Sequence, residues 1–322
     1  MINTDFRGKV VTVFGGTGFL GRYIVAELAA IGAIVKIVTR HTPSAYFLRT
    51  YGNPGQIVPV YTSYASPTEI EEVIKGSYAV VNCLGILHEG GKRASFDHIH
   101  TELPKWVAKA CAATGVTRFI HISALGVDHS QSAYAITKLL GERAVQEFFP
   151  PVTILRPSVI FGAEDNFFNM FAGLAKILPF FPLIGGGKTR FQPVYVLDVA
   201  KSVVHALCDI QTCGQIFELG GPEILTFKEI YGRLFTYIGK SRCLISMPWW
   251  MARTQAFFMA ILPNPPLTND QITSLQTDNI VAQDAYGLNE LGVTPTPMDS
   301  IVPYYLNYHQ NYHQNYKAAK KD

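Results

Sequence analysis

From Lys9 onward the chain repeats two hydrophobic patterns in alternation. Short runs rich in Val, Ile and aromatic residues occupy 9–14, 33–40, 56–61, 78–85, 116–123 and 152–162. Such runs predict strands. Between them apolar residues recur three and four apart, as in Ile24, Val25 and Leu28, or in Ile99, Leu103, Trp106, Val107 and Ala110. That spacing predicts helices from Arg22 to near Gly32, over 67–75, over 96–114 and after Tyr134. The run 78–85 is almost continuously apolar, as expected of a parallel strand covered on both faces. Strands and helices in this alternation predict an α/β chain with a parallel sheet.

Beyond 162 the rhythm changes. Residues 167–182 are strongly apolar and aromatic and predict a helix of a second lobe. Gly185-Gly186-Gly187-Lys188 predicts a turn. Residues 191–200 predict a return to the main sheet, with Asp198 capping a helix over 199–207. A last short strand is expected at 215–220, and helices and loops from Pro222. The expected organisation is one domain of 1–161 plus 192–220, and a smaller, mostly helical C-terminal lobe of 162–191 plus 221–306. The tail 307–322 repeats Asn-Tyr-His-Gln and then turns Lys-rich. It reads as polar and disordered rather than as a metal site, so no metal is expected.

Composition narrows the picture. The 322 residues are 48% hydrophobic and 16% charged, which is ample material for a core. A net charge of +3 gives no reason to expect nucleic acid. Five cysteines show neither metal spacing nor a disulfide framework, which favours a reducing compartment. No secretory or Arg-rich leader pattern precedes the first strand, and no run of about 20 apolar residues marks a membrane span. The expected location is cytoplasmic, or peripheral on a membrane face of that compartment. The stretch from Trp249 to Leu262 is rich in Trp, Phe and Met and broken by Arg253 and Gln255. It suits a membrane interface, a partner, or its own lobe.

The chemistry concentrates at the first turn. A β-branched strand runs into Gly15-Gly16-Thr17-Gly18-Phe19-Leu20-Gly21 and straight into a helix. One glycine permits the sharp turn, one lets backbone approach a pyrophosphate, and one lets helix and strand pack closely. Gly15, Thr17, Gly18, Phe19, Leu20 and Gly21 are the expected phosphate cradle of a Rossmann-type, doubly wound sheet. After the second strand, where an acidic residue would select NAD(H), stand Arg40 and His41. A guanidinium there favours NADP(H), with NAD(H) left open. Leu84 and Gly85, at the end of the fourth strand, are expected beside the cofactor. Tyr134 and Lys138 share one helix face after the fifth strand, so the lysine can hold a ribose and tune the tyrosine as an acid or base.

Together these residues resemble the short-chain dehydrogenase/reductase superfamily, in its extended or atypical branch. The resemblance rests on the Gly15–Gly21 turn, Tyr134 and Lys138, Leu155-Arg156-Pro157, and Val196-x-Asp198-Val199-Ala200. It implies a catalytic Tyr134 and Lys138 with a hydroxyl partner, which Ser123 itself or a loop residue such as Ser130 or Ser132 would have to supply, and places Ser123 and Pro157 at the cofactor. Residues 161–167, 192–196, 267–271 and Asp278-Asn279 are similar to the NADPH-binding accessory subunit family of respiratory complex I, in a bacterial version. That similarity implies a non-catalytic accessory or assembly role, complex I partners, and a place near ubiquinone on the cytoplasmic face of an inner membrane. An active NADP(H)-dependent reductase, epimerase or dehydratase, linked to ubiquinone biosynthesis, stays open, as does a nucleotide-sensing regulator. Leu125 stands where the extended enzymes place a Ser or Thr, which weighs on catalysis. The segment from Ser123 to Tyr134 is short for them, and Tyr61-Thr62-Ser63-Tyr64 replaces the usual acidic residue after the third strand, so adenine is expected to be held differently.

Overall fold

A computed structural model describes residues 5–259 and 267–306, in two compact units. The first unit takes the chain as far as Pro157, Leu197–Leu219 and Val281–Thr294. Its strands are β1 (Val10–Phe14), β2 (Ile34–Thr39), β3 (Ile57–Tyr61), β4 (Ala79–Asn82), β5 (Arg118–Ile122) and β6 (Thr153–Pro157). A seventh, Ile216–Leu219, pairs with β6, and the sheet order continues β6, β5, β4, β1, β2, β3. Every pairing in it is parallel. The helices α1 (Phe19–Ala30), α2 (Pro67–Ile74), α3 (Leu103–Thr114) and α4 (Ala133–Phe148) connect these strands. β1 through β3 run toward one edge and the chain then crosses back to β4 beside β1, so the order reverses between β1 and β4. A crevice for a ligand forms at the carboxyl ends of strands at such a reversal. Val11, Val13, Val35, Ile37, Ile24 and Leu28 are fully buried around the first strand–helix unit.

The predicted helix over 96–114 holds, with one local change. His98–Glu102 form a wider π turn, and Leu103 N–H reaches back to His98 O. Pro104 explains it: proline has no N–H, and its ring clashes with the carbonyl four residues back, which is His100. The widened turn brings His100 O against α4 at Gly141, where a Cβ would collide with it.

The second unit comprises Ser158–Val196, Gly220–Ile280 and the chain from Pro295 onward. Its core is aromatic: Phe171 packs edge-on against Phe227 and Tyr231, and Phe181 against Tyr231 and Phe235. Several expectations need correction here. The helix predicted over 167–182 spans only Phe167–Ile177. Leu178, which precedes Pro179, is extended at φ −87° and ψ 127°, because a residue before proline avoids the helical region. Phe180–Ile184 is then a strand, parallel to Cys243–Met247. Residues 191–200 do not return to the main sheet. Arg190–Phe191 pairs with Leu225–Thr226 and Val194–Tyr195 with Ile160–Phe161, while Ile216–Leu219 takes the edge of the main sheet beside β6. Asp198 does not precede its helix, which already begins at Val196, but lies in the first turn. The predicted strand over 152–162 divides after Pro157, and Ile160–Phe161 belongs to the second unit.

Val281–Thr294, expected in the lobe, belongs to the first unit, where hydrogen bonds tie it to Glu218 and His205. Glu218 N–H donates to Tyr286 O (2.8 Å), Ala282 N–H to the Glu218 carboxylate (2.9 Å) and His205 Nδ1 to Leu291 O (2.6 Å). The tail 307–322, the two histidines in it and the end of the Trp249–Leu262 stretch lie outside the described residues.

Candidate dinucleotide site

The glycine turn is built around one atom, the carbonyl oxygen of Gly15. Gly18 N–H donates to it (3.0 Å), a Cβ on Gly18 would sit 3.2 Å from it, and a Cβ on Gly21 would collide with it. Gly15 itself has φ +79°, and a Cβ there would stand 2.9 Å from Cys83 O at the end of β4. Gly18 is the N-cap of α1 and brings no side-chain cap, and no acidic residue occupies the first turn. The amides at the start of α1, with Thr17, Phe19 and Leu20 around them, therefore face a place suited to negative charge.

Arg40 and His41 follow β2 directly and are exposed. Thr39 Oγ1 accepts His41 N–H (3.2 Å) and shapes the exit. Among the described residues no carboxylate forms an ion pair with Arg40. After β3, Glu69 of α2 reaches back with its carboxylate to Thr62 and Ser63. It accepts Ser63 N–H (2.9 Å), the Ser63 hydroxyl (2.7 Å) and the Thr62 hydroxyl (3.1 Å), and these bonds hold its carboxyl below the usual range.

The carboxyl ends of β4 and β5 meet the start of α4. Ser132 caps α4 by accepting Ala135 N–H (3.1 Å). One turn on, Lys138 is buried and donates to Ile122 O (3.1 Å) and Leu84 O (3.4 Å), with Gly85 alongside. Burial lowers the Lys138 ammonium to about 8, partly offset by Glu142. Burial pushes the Tyr134 phenol up to about 12. Ser123 donates its N–H to Leu155 O (2.8 Å), while its buried Oγ has no hydrogen-bond partner among the described residues. A buried hydroxyl without a partner costs about 1–3 kcal/mol, so it marks a place where a ligand group fits. Leu125, two residues on, is buried and donates its N–H to Pro157 O (2.9 Å).

The structure thus brings the glycine turn, Leu84, Gly85, Ser123, Tyr134 and Lys138 to neighbouring strand ends, with Arg40 and His41 at the end of β2 and Pro157 at the end of β6. The glycine cradle and the orphaned Ser123 hydroxyl fit a dinucleotide. Sequence reasoning missed Asn82, Glu69, His100 and Glu142. Glu142 was findable, four residues beyond Lys138 on one helix face. It pairs with the buried Arg156 through two bonds (2.9 and 2.7 Å), and Arg156 also binds Asp128 (2.8 Å).

Comparison with known proteins agrees with this geometry. Residues 11–220 match the NAD dependent epimerase/dehydratase family. The chain is 34% identical to the Arabidopsis thaliana mitochondrial NADH dehydrogenase [ubiquinone] 1 alpha subcomplex subunit 9, over 94% of this chain and 79% of that protein. It is 32% identical to the Neurospora crassa mitochondrial NADH-ubiquinone oxidoreductase 40 kDa subunit, over 94% and 80%. An Escherichia coli NADPH-dependent quinone oxidoreductase complexed with NADPH shares the fold at TM-score 0.72 and 16% identity, over 89% of this chain and 96% of that one. With its parallel sheet, its glycine cradle and its Tyr134–Lys138 pair, the chain belongs to the NAD dependent epimerase/dehydratase family, in the branch that also holds these complex I subunits.

Proposed function

We propose that this chain holds NADP(H) as a non-catalytic accessory or assembly subunit of a bacterial respiratory complex I, peripheral on the cytoplasmic face of the inner membrane. Leu125 carries the non-catalytic part of the reading. It puts a buried isobutyl group where a hydroxyl would polarise a substrate carbonyl, beside a site otherwise suited to a dinucleotide. The similarity to complex I subunits supports the partners. The glycine cradle and the α1 amides would hold the pyrophosphate, and Arg40 and His41 the 2′-phosphate. Ser123, Tyr134 and Lys138, with Leu84, Gly85 and Pro157, would hold the nicotinamide end. A bound nicotinamide supplies hydride chemistry; the high Tyr134 pKa favours a phenol that donates a hydrogen bond over one that gives up its proton.

The helix Trp249–Met259 supports a membrane-facing or partner-facing role. Trp250, Phe257 and Phe258 are each about two-thirds exposed, while Ala252 and Ala256 are buried. Among the described residues no helix is long and apolar enough to cross a membrane.

Affinity capture from solubilised native membranes tests the reading. Complex I subunits and bound NADPH are expected together. Their absence, with turnover of a carbonyl or quinone panel that Tyr134→Phe abolishes, would establish the alternative, an active reductase, which the intact Tyr134–Lys138 pair favours. Arg40→Asp is expected to weaken NADPH about 10- to 100-fold, the worth of a charge-assisted bond of roughly 1.5–3 kcal/mol, and NADH less than about threefold. Calorimetry with both nucleotides measures it, and an unchanged NADPH-to-NADH ratio refutes the role of Arg40.

A further inference from the structure

The π turn before α3 presents a buried imidazole beside Tyr134 that the dinucleotide reading leaves without a role. We propose that His100 is a positioning residue for the nicotinamide end of the site, locking the 84–86 loop to α4 and fixing the ring of Tyr134. The inference rests on the dinucleotide reading above.

The bond pattern identifies the state of the ring. His100 Nε2 accepts Ile86 N–H (3.1 Å), so the neutral ring carries its proton on Nδ1 and donates it to Thr137 Oγ1 (3.2 Å). The Thr137 hydroxyl in turn donates to the Ala133 and Tyr134 carbonyls (2.8 and 3.0 Å). His100 is 1% exposed, and burial, reinforced by the Lys138 charge, lowers its ring to about 3. The two-bond pattern therefore persists across physiological pH.

The ring has a second function as a wall. It meets Tyr134 edge-to-face at 5.1 Å and stacks on Phe96 at 5.3 Å, and Phe96 meets Tyr134 edge-on at 6.1 Å. Tyr134 thus packs edge-to-face against the stacked pair of His100 and Phe96. The backbone strengthens the junction, since Thr101 Oγ1 donates to Thr137 O (3.1 Å) and His100 O abuts Gly141.

The loop that His100 grips is the one that flanks Lys138. Leu84 N–H is taken by Asn82 Oδ1 (3.2 Å), whose amide then donates to His121 Nδ1 (3.2 Å). Leu84 O accepts from Lys138 Nζ. Ile86 N–H, two residues on, goes to His100. Without His100, the far side of Gly85 loses that tie. A histidine present only to fill space would be replaceable by leucine with no effect confined to one end of the ligand.

The test uses the full chain, with NADPH and adenosine 2′,5′-bisphosphate as probes, the second lacking the nicotinamide half. Calorimetry gives affinities, and emission reports how firmly the bound nicotinamide is held. His100→Leu is expected to lose about tenfold or more in NADPH affinity, to keep adenosine 2′,5′-bisphosphate within about twofold, and to move emission toward that of free NADPH. His100→Asn, whose carboxamide offers one acceptor and one donor, is expected to restore much of the loss. If His100→Leu does not fold, Thr137→Val, which removes the hydroxyl that accepts Nδ1–H, together with its bonds to the Ala133 and Tyr134 carbonyls, and leaves the Ile86 bond in place, is expected to show the same one-ended loss on a smaller scale. Equal losses for both probes, unchanged NADPH binding and emission, or an Asn variant no better than Leu each overturn the assignment alone. A wild-type chain that binds neither probe overturns the dinucleotide reading and this assignment with it.

Discussion

Gly21→Ala is expected to abolish tight dinucleotide binding, with an affinity loss of about 100-fold or more, and to lower stability by about 1–3 kcal/mol. The added methyl would collide with Gly15 O and lie 2.7 Å from Gly16 Cα, both backbone atoms of the phosphate turn. No side chain can swing aside to accept it, so the turn itself must move. Alanine's helix propensity returns only about 1 kcal/mol over glycine, too little to compensate. Gly18→Ala is the internal control, since its Cβ would stand 3.2 Å from Gly15 O and ask for a shift of only tenths of an ångström. Calorimetry with NADPH and a denaturant titration measure both variants. A loss under about threefold for Gly21→Ala would remove the turn as the seat of the pyrophosphate.

Arg156→Met should be the most damaging substitution for stability, at about 3–5 kcal/mol. Arg156 is a buried cation shared by three carboxylates: Glu142 in a two-bond clasp, Asp128 at 2.8 Å and Glu218 at 3.5 Å. The Glu142 side chain is 2% exposed, so removing the guanidinium strands its charge away from water. Attraction between a buried pair barely exceeds the cost of desolvating it, which is why loss of one partner hurts more than loss of both. The double variant Arg156→Met/Glu142→Leu should accordingly regain most of the loss in the denaturant midpoint. A single variant within about 1 kcal/mol of wild type would show that the pair is not buried in solution. The cluster also bears on the site, because Glu142 supports the charge on Lys138 one turn earlier in α4.

The legible parts of this chain share a physical character. The glycine turn, the parallel strands and the Tyr134–Lys138 pair are set by interactions over a few residues, namely backbone sterics, strand burial on both faces and helix periodicity. The misread parts are decided elsewhere. Apolar residues at 178–182 satisfy a helix or a strand equally, and only Pro179 and the partner Cys243–Met247 choose the strand. Residues 191–200 resemble a sheet strand, but Ile216–Leu219 already occupies the edge beside β6. Glu69 reads as a helix-start residue, yet its carboxylate reaches back to Thr62 and Ser63.

The sequence by itself determined the fold class, the position of the glycine turn and the placement of Tyr134 and Lys138 on one helix face. Each of these follows from local spacing along one strand or one helix. Only the tertiary structure decided that Gly15 O is the point the turn closes on and that the Ser123 hydroxyl is buried without a partner. It also decided that a histidine widened into place by Pro104 grips the 84–86 loop across to α4. The two ties of His100 join residues 14 and 37 positions apart, and no periodicity carries them. They arise when packing removes water and every buried polar group must find a partner or wait for one.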